Sequence, residues 1–180
     1  MGHKLFRTTQ ETYPAKFLAG DAFDDAHLCP TAPVPSTPPS VASVNTLTEL
    51  RGHLSVIYAS SLFHLFGEER QFELAKRLAA SLDPRPGSII FGSHAGMPVK
   101  GYPRSVFSST FRHSAESWTE LWEEQVFEKG QVKATTILWE VPENAGWNLS
   151  NPQDYAGSSK EFPVEKETKS YLLLWSVERL

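Results

Sequence analysis

Three histidines are the candidates for acid–base chemistry in this sequence: His64, His94 and His113. An imidazole can accept a proton from a hydroxyl group near neutral pH, so each could serve as a general base. Each also has a structural alternative, because a histidine within apolar sequence is often a packed core residue. We rank His64 first, because it follows the chain's most strand-like stretch directly.

That stretch spans residues 54–66 and reads LSVIYASSLFHLF. Residues 54–59 are largely apolar and almost uncharged, which predicts a central parallel strand covered on both faces. Ser60 and Ser61 interrupt the run, and apolar residues then recur at helical spacing. Ligands of open α/β sheets bind outside the carboxyl ends of the strands, so residues 59–64 are the first place to expect a site.

Two further strand ends are predicted near this one. Residues 15–19 indicate a short strand that ends at Gly20 and Asp21, where a carboxylate could meet a ligand or simply cap the next turn. Residues 88–91 predict a second buried strand, followed by a flexible, site-lining loop over residues 92–96 that lacks the GxGxxG spacing. Parallel strands end on one side of a sheet, so we expect these ends to line one cavity.

The remaining pattern places these strands in an α/β fold, which we expect to form a single domain over residues 1–180. Helices are predicted at residues 2–9, 41–50, 68–82 and 114–125, and an antiparallel strand pair at residues 131–141 and 170–179. Residues 29–40 contain five prolines and predict an exposed, polyproline-like loop. A stiff connection is favoured over a recognition peptide, because no basic residue flanks these prolines.

The amino-acid composition limits the kinds of partner and the cellular compartment that we expect for this protein. The net charge of -4 and the pI near 5.9 give no basic face for DNA or RNA, so no nucleic-acid partner is expected. Cys29 is the only cysteine, which excludes an internal disulfide and favours a reducing compartment. The sequence has no signal-peptide core and no apolar run long enough to span a membrane. We therefore expect a cytoplasmic protein without a membrane partner.

The succession of elements resembles the C-terminal part of a class I, Rossmann-like S-adenosylmethionine-dependent methyltransferase, whose parallel sheet ends in an antiparallel seventh strand. The resemblance extends beyond the order of elements to the sequence itself. The runs GDAFD, ASSLFHLF, ELAKRLAASLDPRPGSIIFGSHAG, HSAESWTELW and LLWSVERL look like a family of fungal small-molecule methyltransferases of secondary metabolism. They extend over nearly the whole chain.

The resemblance implies S-adenosylmethionine as cofactor and a small molecule as substrate. Asp21 and Ala22 stand where the family's third strand contacts the adenine, and Phe23 follows them. Ser60, Ser61 and Leu62 stand where the loop after the fourth strand lines the pocket. A carboxylate can bond the adenine amine while apolar side chains sandwich its ring. The three histidines are then the candidates for a substrate-side base.

The sequence also departs from the family pattern. It has neither the glycine-rich turn after the first strand nor the acid that holds the ribose, and its first residues match the helix after the family's second strand. We therefore expect a mostly parallel sheet that lacks the first two strands and ends in an antiparallel hairpin. The family's strand order is three, two, one, four, five, seven, six, so the central strand would keep an exposed edge. Such an edge predicts a homodimer or a partner subunit.

Three functional hypotheses follow. The first is a methyltransferase-like protein for a small hydroxylated or carboxylated metabolite, with methyl transfer impaired by the missing N-terminal part. The second is a cofactor-free cyclase or isomerase that uses an apolar cavity and one histidine. The third is a non-catalytic partner that completes or regulates another subunit. The resemblance favours the first hypothesis and does not identify a substrate.

Overall fold

The computed structural model describes residues 2–9, 11–13, 15–103, 110–142 and 169–180. Within these ranges the strands are β1 Val56–Tyr58, β2 Ile89–Gly96, β3 Val132–Val141 and β4 Ser170–Arg179. The α-helices are α1 Gly2–Phe6, α2 Glu68–Ser81 and α3 Ala115–Glu120, and α3 continues into a π-helical segment, Leu121–Val126. Short 3-10 turns occupy Leu47–Leu50 and Phe63–Leu65. Most of the connection between β3 and β4 lies outside the described residues.

The four strands form one mixed sheet in the order β1-β2-β4-β3. The predicted antiparallel pair is confirmed, because β3 and β4 run antiparallel at one edge with Thr136 opposite Trp175. The expectation of a mostly parallel sheet is wrong for the described strands, since only β1 and β2 pair in parallel. The order of these four strands agrees with the last four of the order that the resemblance implies.

The N-terminal side of the sheet differs from the prediction in two respects. Residues 15–19 form no strand, so Asp21 does not lie at a strand end. β1 has only three residues and pairs only with β2 among the described strands, which places it at the edge and not at the centre. Val56 and Tyr58 are consequently 59% and 69% exposed, because nothing described covers their face.

β2 is longer than predicted, because residues 92–96 continue the strand and do not form a loop. The reason is tertiary pairing: β4 lies alongside β2 from Ile89 to Gly96 and supplies partners for its backbone, which overrides the weak strand preference of glycine. At Gly92 a Cβ would lie 2.7 Å from the carbonyl carbon of Ala59. Glycine therefore lets the end of β1 approach β2 closely.

The helix predicted over residues 68–82 is confirmed as α2. Its apolar side buries Leu74 and Ala75 completely. On another side the buried Arg77 donates to the Leu28 carbonyl at 2.6 Å and forms an ion pair with Asp25 at 2.8 Å. These contacts attach the N-terminal segment to the helix, although that segment has little regular structure of its own.

The other predicted helices are shorter than expected. The helix at 114–125 is confirmed at its start, where the Ser114 hydroxyl accepts a bond from the Ser117 amide at 3.2 Å. The helices predicted at 2–9 and 41–50 contract to α1 and to the 3-10 turn Leu47–Leu50. Residues 29–40 form neither helix nor strand, and His53 donates to the Pro35 carbonyl at 2.9 Å within this region.

The core lies between the inner face of the sheet and the helices, and it is strongly aromatic. Phe63 and Trp118 meet edge to face with ring centroids 4.8 Å apart, and Trp118 lies 5.1 Å from Trp175 of β4. All three are almost fully buried. The outer face carries exposed apolar side chains instead: Val56, Tyr58, Phe91, Ile137, Trp139 and Leu174. None of the described helices is both long and apolar enough to cross a membrane.

Candidate functional site

The turn after β1 is held firmly against β2. The Ser60 hydroxyl donates to the Ser93 carbonyl at 3.1 Å, and the Ser61 amide donates to the same carbonyl at 2.7 Å. Ser61 has a φ of 52°, the left-handed conformation that a residue with a Cβ adopts at some energetic cost. Strained backbone of this kind is concentrated at functional sites, so the turn formed by Ser60 and Ser61 remains a candidate ligand contact.

His64 lies in the 3-10 turn Phe63–Leu65 and is partly buried. Its Nδ1 has no hydrogen-bond partner among the described residues. Burial lowers the pKa of His64, and the positive charge of Arg112 lowers it further. The ring is therefore neutral near pH 7, with its centroid 6.4 Å from that of His94.

His94 is buried inside β2, where its lone pair is already engaged. Trp175 Nε1 donates to His94 Nδ1 at 3.0 Å. A neutral imidazole that accepts at Nδ1 carries its proton on Nε2, and this atom has no partner among the described residues. Burial lowers the pKa of His94 to about 3, with help from His64 and His113. This arrangement suits a packed core histidine better than a general base.

His113 lies immediately before α3 and is 3% exposed. Its Nδ1 is 2.9 Å from the Ser117 hydroxyl, and its Nε2 has no partner in the described structure. Burial lowers the pKa of His113 to about 4; the negative Glu68 opposes this shift and the positive Lys100 reinforces it. The imidazole is neutral at pH 7 and one nitrogen is unused.

Backbone contacts fix the position of His113 from both sides. The Met97 amide donates to the His113 carbonyl at 3.0 Å. Two residues earlier, Gln71 of α2 donates to the Phe111 carbonyl at 2.7 Å. The imidazole itself packs edge-on against Trp118, with centroids 5.1 Å apart. The histidine is thus placed by the helix, the end of β2 and the core together.

A cavity of about 230 Å³ lies against His113. Its other lining residues are Glu68, Glu69, Phe72, Lys100, Ser117, Leu121 and Gln125. Lys100 and Glu68 form an ion pair at 3.0 Å, and both side chains are about half exposed. Leu121 and Gln125 belong to the π-helical segment, a conformation that is frequent at functional sites.

A second groove, of about 450 Å³, runs along α3 and is more open. It is lined by Glu116, Glu120, Glu123 and Glu124 together with small and hydroxyl side chains. No histidine lines it, and its acidic residues are those of an exposed helix face. The smaller cavity is therefore the better candidate site, although it has half the volume.

The residues predicted to contact adenine form a local turn. The Asp21 carboxylate accepts a bond from the Phe23 amide at 2.9 Å, so Asp21 does cap its own turn. Phe23 packs edge-on against Phe66 at 4.9 Å, with the Arg70 guanidinium 4.5 Å above its ring. Ala22, Phe23 and Leu62 all pack against the same buried core.

The structure brings the predicted residues together only in part. His94 and His113 both contact Trp118, and His64 lies beside His94. We expected the ends of three parallel strands to line one cavity. The described strands do not have this arrangement, because residues 15–19 are not a strand and His94 lies within β2 and not after its end. Among the predicted site residues, His113 lines the smaller cavity, and none lines the larger groove.

Sequence reasoning missed the rest of the cavity lining. Glu68 lies in the helix predicted at residues 68–82, and its partner Lys100 lies 32 residues further along the chain. No local pattern signals that pairing. Within the described ranges, no group of three or more histidine, cysteine, aspartate or glutamate side chains is arranged to hold a metal ion.

The fold and the histidine cluster define an α/β protein with a candidate small-molecule site, and sequence comparison adds a family relationship. The chain is 34% identical over 143 residues to the O-methyltransferase phiE of Fungal sp. (strain ATCC 74256), covering 78% of the chain and 40% of that protein. It is 30% identical over 146 residues to the asnovolin E/chermesin D methyltransferase nvfJ of Aspergillus novofumigatus, covering 80% and 46%. The methyltransferase adrK of Penicillium roqueforti is 31% identical over 96 residues, covering 52% and 34%.

The chain is therefore related to fungal methyltransferases, and the resemblance predicted from the sequence is confirmed. It spans less than half the length of the curated relatives that it matches. No model of a protein family and no solved structure matches the sequence.

Proposed function

We propose that this chain belongs to a class I, S-adenosylmethionine-dependent methyltransferase fold and contributes to methyl transfer onto a small secondary metabolite. The observation that carries the proposal is its similarity to the O-methyltransferase phiE over 78% of the chain. The cofactor would supply an electrophilic methyl group. The chain's own residues would hold the substrate and accept its proton.

The described residues fit only part of such a cofactor. Ala22, Phe23 and Leu62 offer apolar surface around one end of the core, and the Asp21 carboxylate keeps one oxygen for an adenine amine. The groups expected to hold the methionine and ribose ends are not recognisable in the sequence. We therefore assign these residues to the adenine end alone and expect weak cofactor binding by this chain.

His113 is the preferred substrate-side base. His94 has its Nδ1 occupied by Trp175, whereas His113 has an unused Nε2 and lines a cavity. Its low pKa keeps the ring neutral but makes it a weak base, so its contribution would be to orient the substrate hydroxyl and take the proton as charge develops. His64 is the second choice, because its Nδ1 also lacks a described partner.

Calorimetric titration of the purified chain with S-adenosylmethionine and with adenosine tests the cofactor assignment. We expect S-adenosylmethionine to bind no more tightly than about 100 μM and adenosine to bind similarly, because only the adenine end finds partners. Asp21→Asn should weaken both ligands. Asp24→Asn is the matched control, since the Asp24 carboxylate caps an equivalent turn by accepting from the Ala26 amide at 2.9 Å.

Two results would contradict this assignment. Binding of S-adenosylmethionine in the low micromolar range would mean that the chain holds the methionine and ribose ends by groups other than Asp21, Ala22, Phe23 and Leu62. Equal effects of Asp21→Asn and Asp24→Asn would remove the adenine role from Asp21.

A cofactor-free cyclase or isomerase is the second candidate. One observation favours it: the cavity at His113 is formed without any of the residues assigned to the cofactor. In that case the cavity and one neutral histidine would suffice for proton transfer. Turnover of a substrate in dialysed protein, unchanged by added S-adenosylmethionine, would decide for this candidate.

A further inference from the structure

The free edge of β1 has a defined pattern of backbone donors and acceptors. The Ile89 amide of β2 donates to the Ser55 carbonyl, and the Ala59 amide donates to a β2 carbonyl, each at 2.9 Å. Successive residues of a strand direct their backbone groups to alternate sides, so the odd-numbered residues of this stretch use theirs on β2. The N–H and C=O groups of Val56 and Tyr58 therefore point to the other side, where no described strand pairs with them.

The sequence around this edge does not protect it from pairing. Residues 54–61 contain no lysine, arginine, aspartate, glutamate or proline, and such residues commonly keep an exposed edge strand from meeting another strand. The side chains of Val56 and Tyr58 are 59% and 69% exposed, so both are open to a partner. The chain as a whole has a net charge of -4, but this edge carries none of it, so a second copy can approach here without repulsion between close charges.

The edge is complementary to itself. Val56 and Tyr58 flank Ile57 on either side. A second copy, rotated by a half turn about an axis through Ile57 and perpendicular to the sheet, presents its Tyr58 opposite Val56 and its Val56 opposite Tyr58. In an antiparallel pair, opposite residues of this kind exchange both of their N–H···O bonds. One contact thus satisfies the free β1 edges of both copies at once, as in a closed twofold dimer.

The side chains at this edge suit the same register. Val56 of one copy would lie on the outer face beside Tyr58 of the second copy, which is an aromatic and β-branched pair of the kind that stabilises neighbouring strands. Within one copy, Tyr58 already packs against Phe91 of β2, with ring centroids 5.2 Å apart. The valine of the second copy would extend this apolar row across the junction.

We propose that two copies of this chain associate by antiparallel pairing of their β1 strands, with Ile57 opposite Ile57, and form one sheet that continues through both copies. A strand of three residues buries little surface, so the interface lies below the roughly 1,200 Å² of a stable complex and the dimer is weak. We expect a dissociation constant of about 10–100 μM. Pairing needs neither cofactor nor substrate, so this proposal and the proposed function can be refuted separately.

Amide hydrogen exchange of the unmodified chain, followed by NMR at about 20 μM and about 1 mM, tests the pairing. We expect the Val56 and Tyr58 amides to exchange about four- to sixfold more slowly at the higher concentration, because the second copy occupies them in the dimer. The Ile57 amide is the internal control, since it already pairs with β2 and its exchange should change little. Exchange of Val56 and Tyr58 that does not depend on concentration would overturn the proposal.

Disulfide formation between cysteine variants determines the register. In a Cys29→Ser background, Val56→Cys and Tyr58→Cys chains should become covalently linked when they are mixed under mild oxidation, because the Cα atoms of opposite residues lie about 5.5 Å apart. Either chain alone should link at least about tenfold more slowly, because each position lies about 7–8 Å from its own counterpart. Val99→Cys mixed with Tyr58→Cys is the matched control, since Val99 is 74% exposed but lies outside the sheet.

Three results of the cysteine experiment would contradict the proposed register. No linking in the mixture of Val56→Cys and Tyr58→Cys, with both variants folded by circular dichroism, would mean that the β1 edges do not meet. Faster linking of either variant with itself would place a different residue on the twofold axis. Linking of the Val99→Cys control at the same rate would show that the disulfides arise from random collision.

Discussion

The two faces of the sheet carry similar apolar side chains but differ in what covers them. Along β4, Leu173, Trp175 and Val177 point inward and are buried, whereas Leu174 between them is 39% exposed. On β3, Ile137 points outward and is 61% exposed. Strand composition alone would place both faces in a core. The difference shows that burial in this chain is decided by α2 and α3, which lie on one side.

The covered face of the sheet also buries two polar side chains, the imidazole rings of His94 and His113. His94 and His113 reach the core as neutral rings, each packed against Trp118. A neutral imidazole can be buried at modest cost when one nitrogen is bonded, as His94 is to Trp175. The inner face is therefore a mixed aromatic and imidazole layer, and its stability should depend on the charge state of these rings.

Truncation of the inner layer should have the largest effect on stability. We expect Trp118→Ala to lower the free energy of unfolding by about 3–5 kcal/mol, because it removes the ring that contacts Phe63, Trp175 and two histidines. Trp139→Ala on the outer face is the matched control and should cost about 1 kcal/mol or less. Urea denaturation measures both, and equal losses would mean that the two faces are equally covered in solution.

Acid should weaken the inner face next. The folded state holds the pKa of His113 at about 4 and that of His94 at about 3, below the ordinary value of 6.5, so it binds fewer protons than the unfolded chain between these values. Stability is therefore fully present above pH 6.5 and is lost as the pH falls towards 4 and below, by about 3 kcal/mol for His113 alone.

Urea denaturation at a series of pH values checks this dependence. His113→Gln should flatten the curve between pH 6.5 and 4. If the stability of the unmodified protein does not change with pH over this range, the pKa values of the buried histidines are not lowered in the folded state, and the prediction is wrong.

The outer face should influence assembly far more than stability. The homodimer predicted from the sequence remains a prediction, and β1 offers an unpaired edge among the described strands. Tyr58→Lys should change the free energy of unfolding by only about 0.5 kcal/mol, because this side chain is 69% exposed, yet it should reduce self-association, since lysine on an edge strand blocks pairing.

Light scattering of both forms measures the effect. Val99→Lys is the control, because Val99 is 74% exposed but lies outside the sheet, and this variant should associate like the unmodified chain. A monomeric unmodified chain would remove the prediction of self-association, and an associating Tyr58→Lys variant would move the interface away from β1.

Local sequence patterns predicted the elements whose signals are themselves local. The apolar periodicity of α2, the Ser114 cap of α3 and the alternation of β3 and β4 were all sufficient. The extension of β2 was not predictable, because it depends on pairing with β4 about 80 residues later. The strand predicted at residues 15–19 does not form for the converse reason: no described strand pairs with it, although Phe17 packs against His3 and Phe6.

The candidate site also has features that the sequence predicts and features that depend on long-range contacts. The three histidines could be selected by residue type, and the contact of His94 and His113 with Trp118 follows from β2 and α3 packing on one core. Their ranking could not be predicted, because the bond from Trp175 to His94 joins residues 81 positions apart. The cavity depends on Lys100 meeting Glu68, which is again a long-range contact.

Gly92 limits how this sequence can drift over evolutionary time. Any side chain there would meet the carbonyl carbon of Ala59 at 2.7 Å, and that carbonyl belongs to backbone, which cannot swing aside. A heavier residue at position 92 would force β1 and the Ser60–Ser61 turn outward together, so substitutions in this turn and at Gly92 are not independent. Gly92 and the Ser60–Ser61 turn would have to change together. Selection would eliminate most single substitutions at Gly92 before a compensating change in the turn arose.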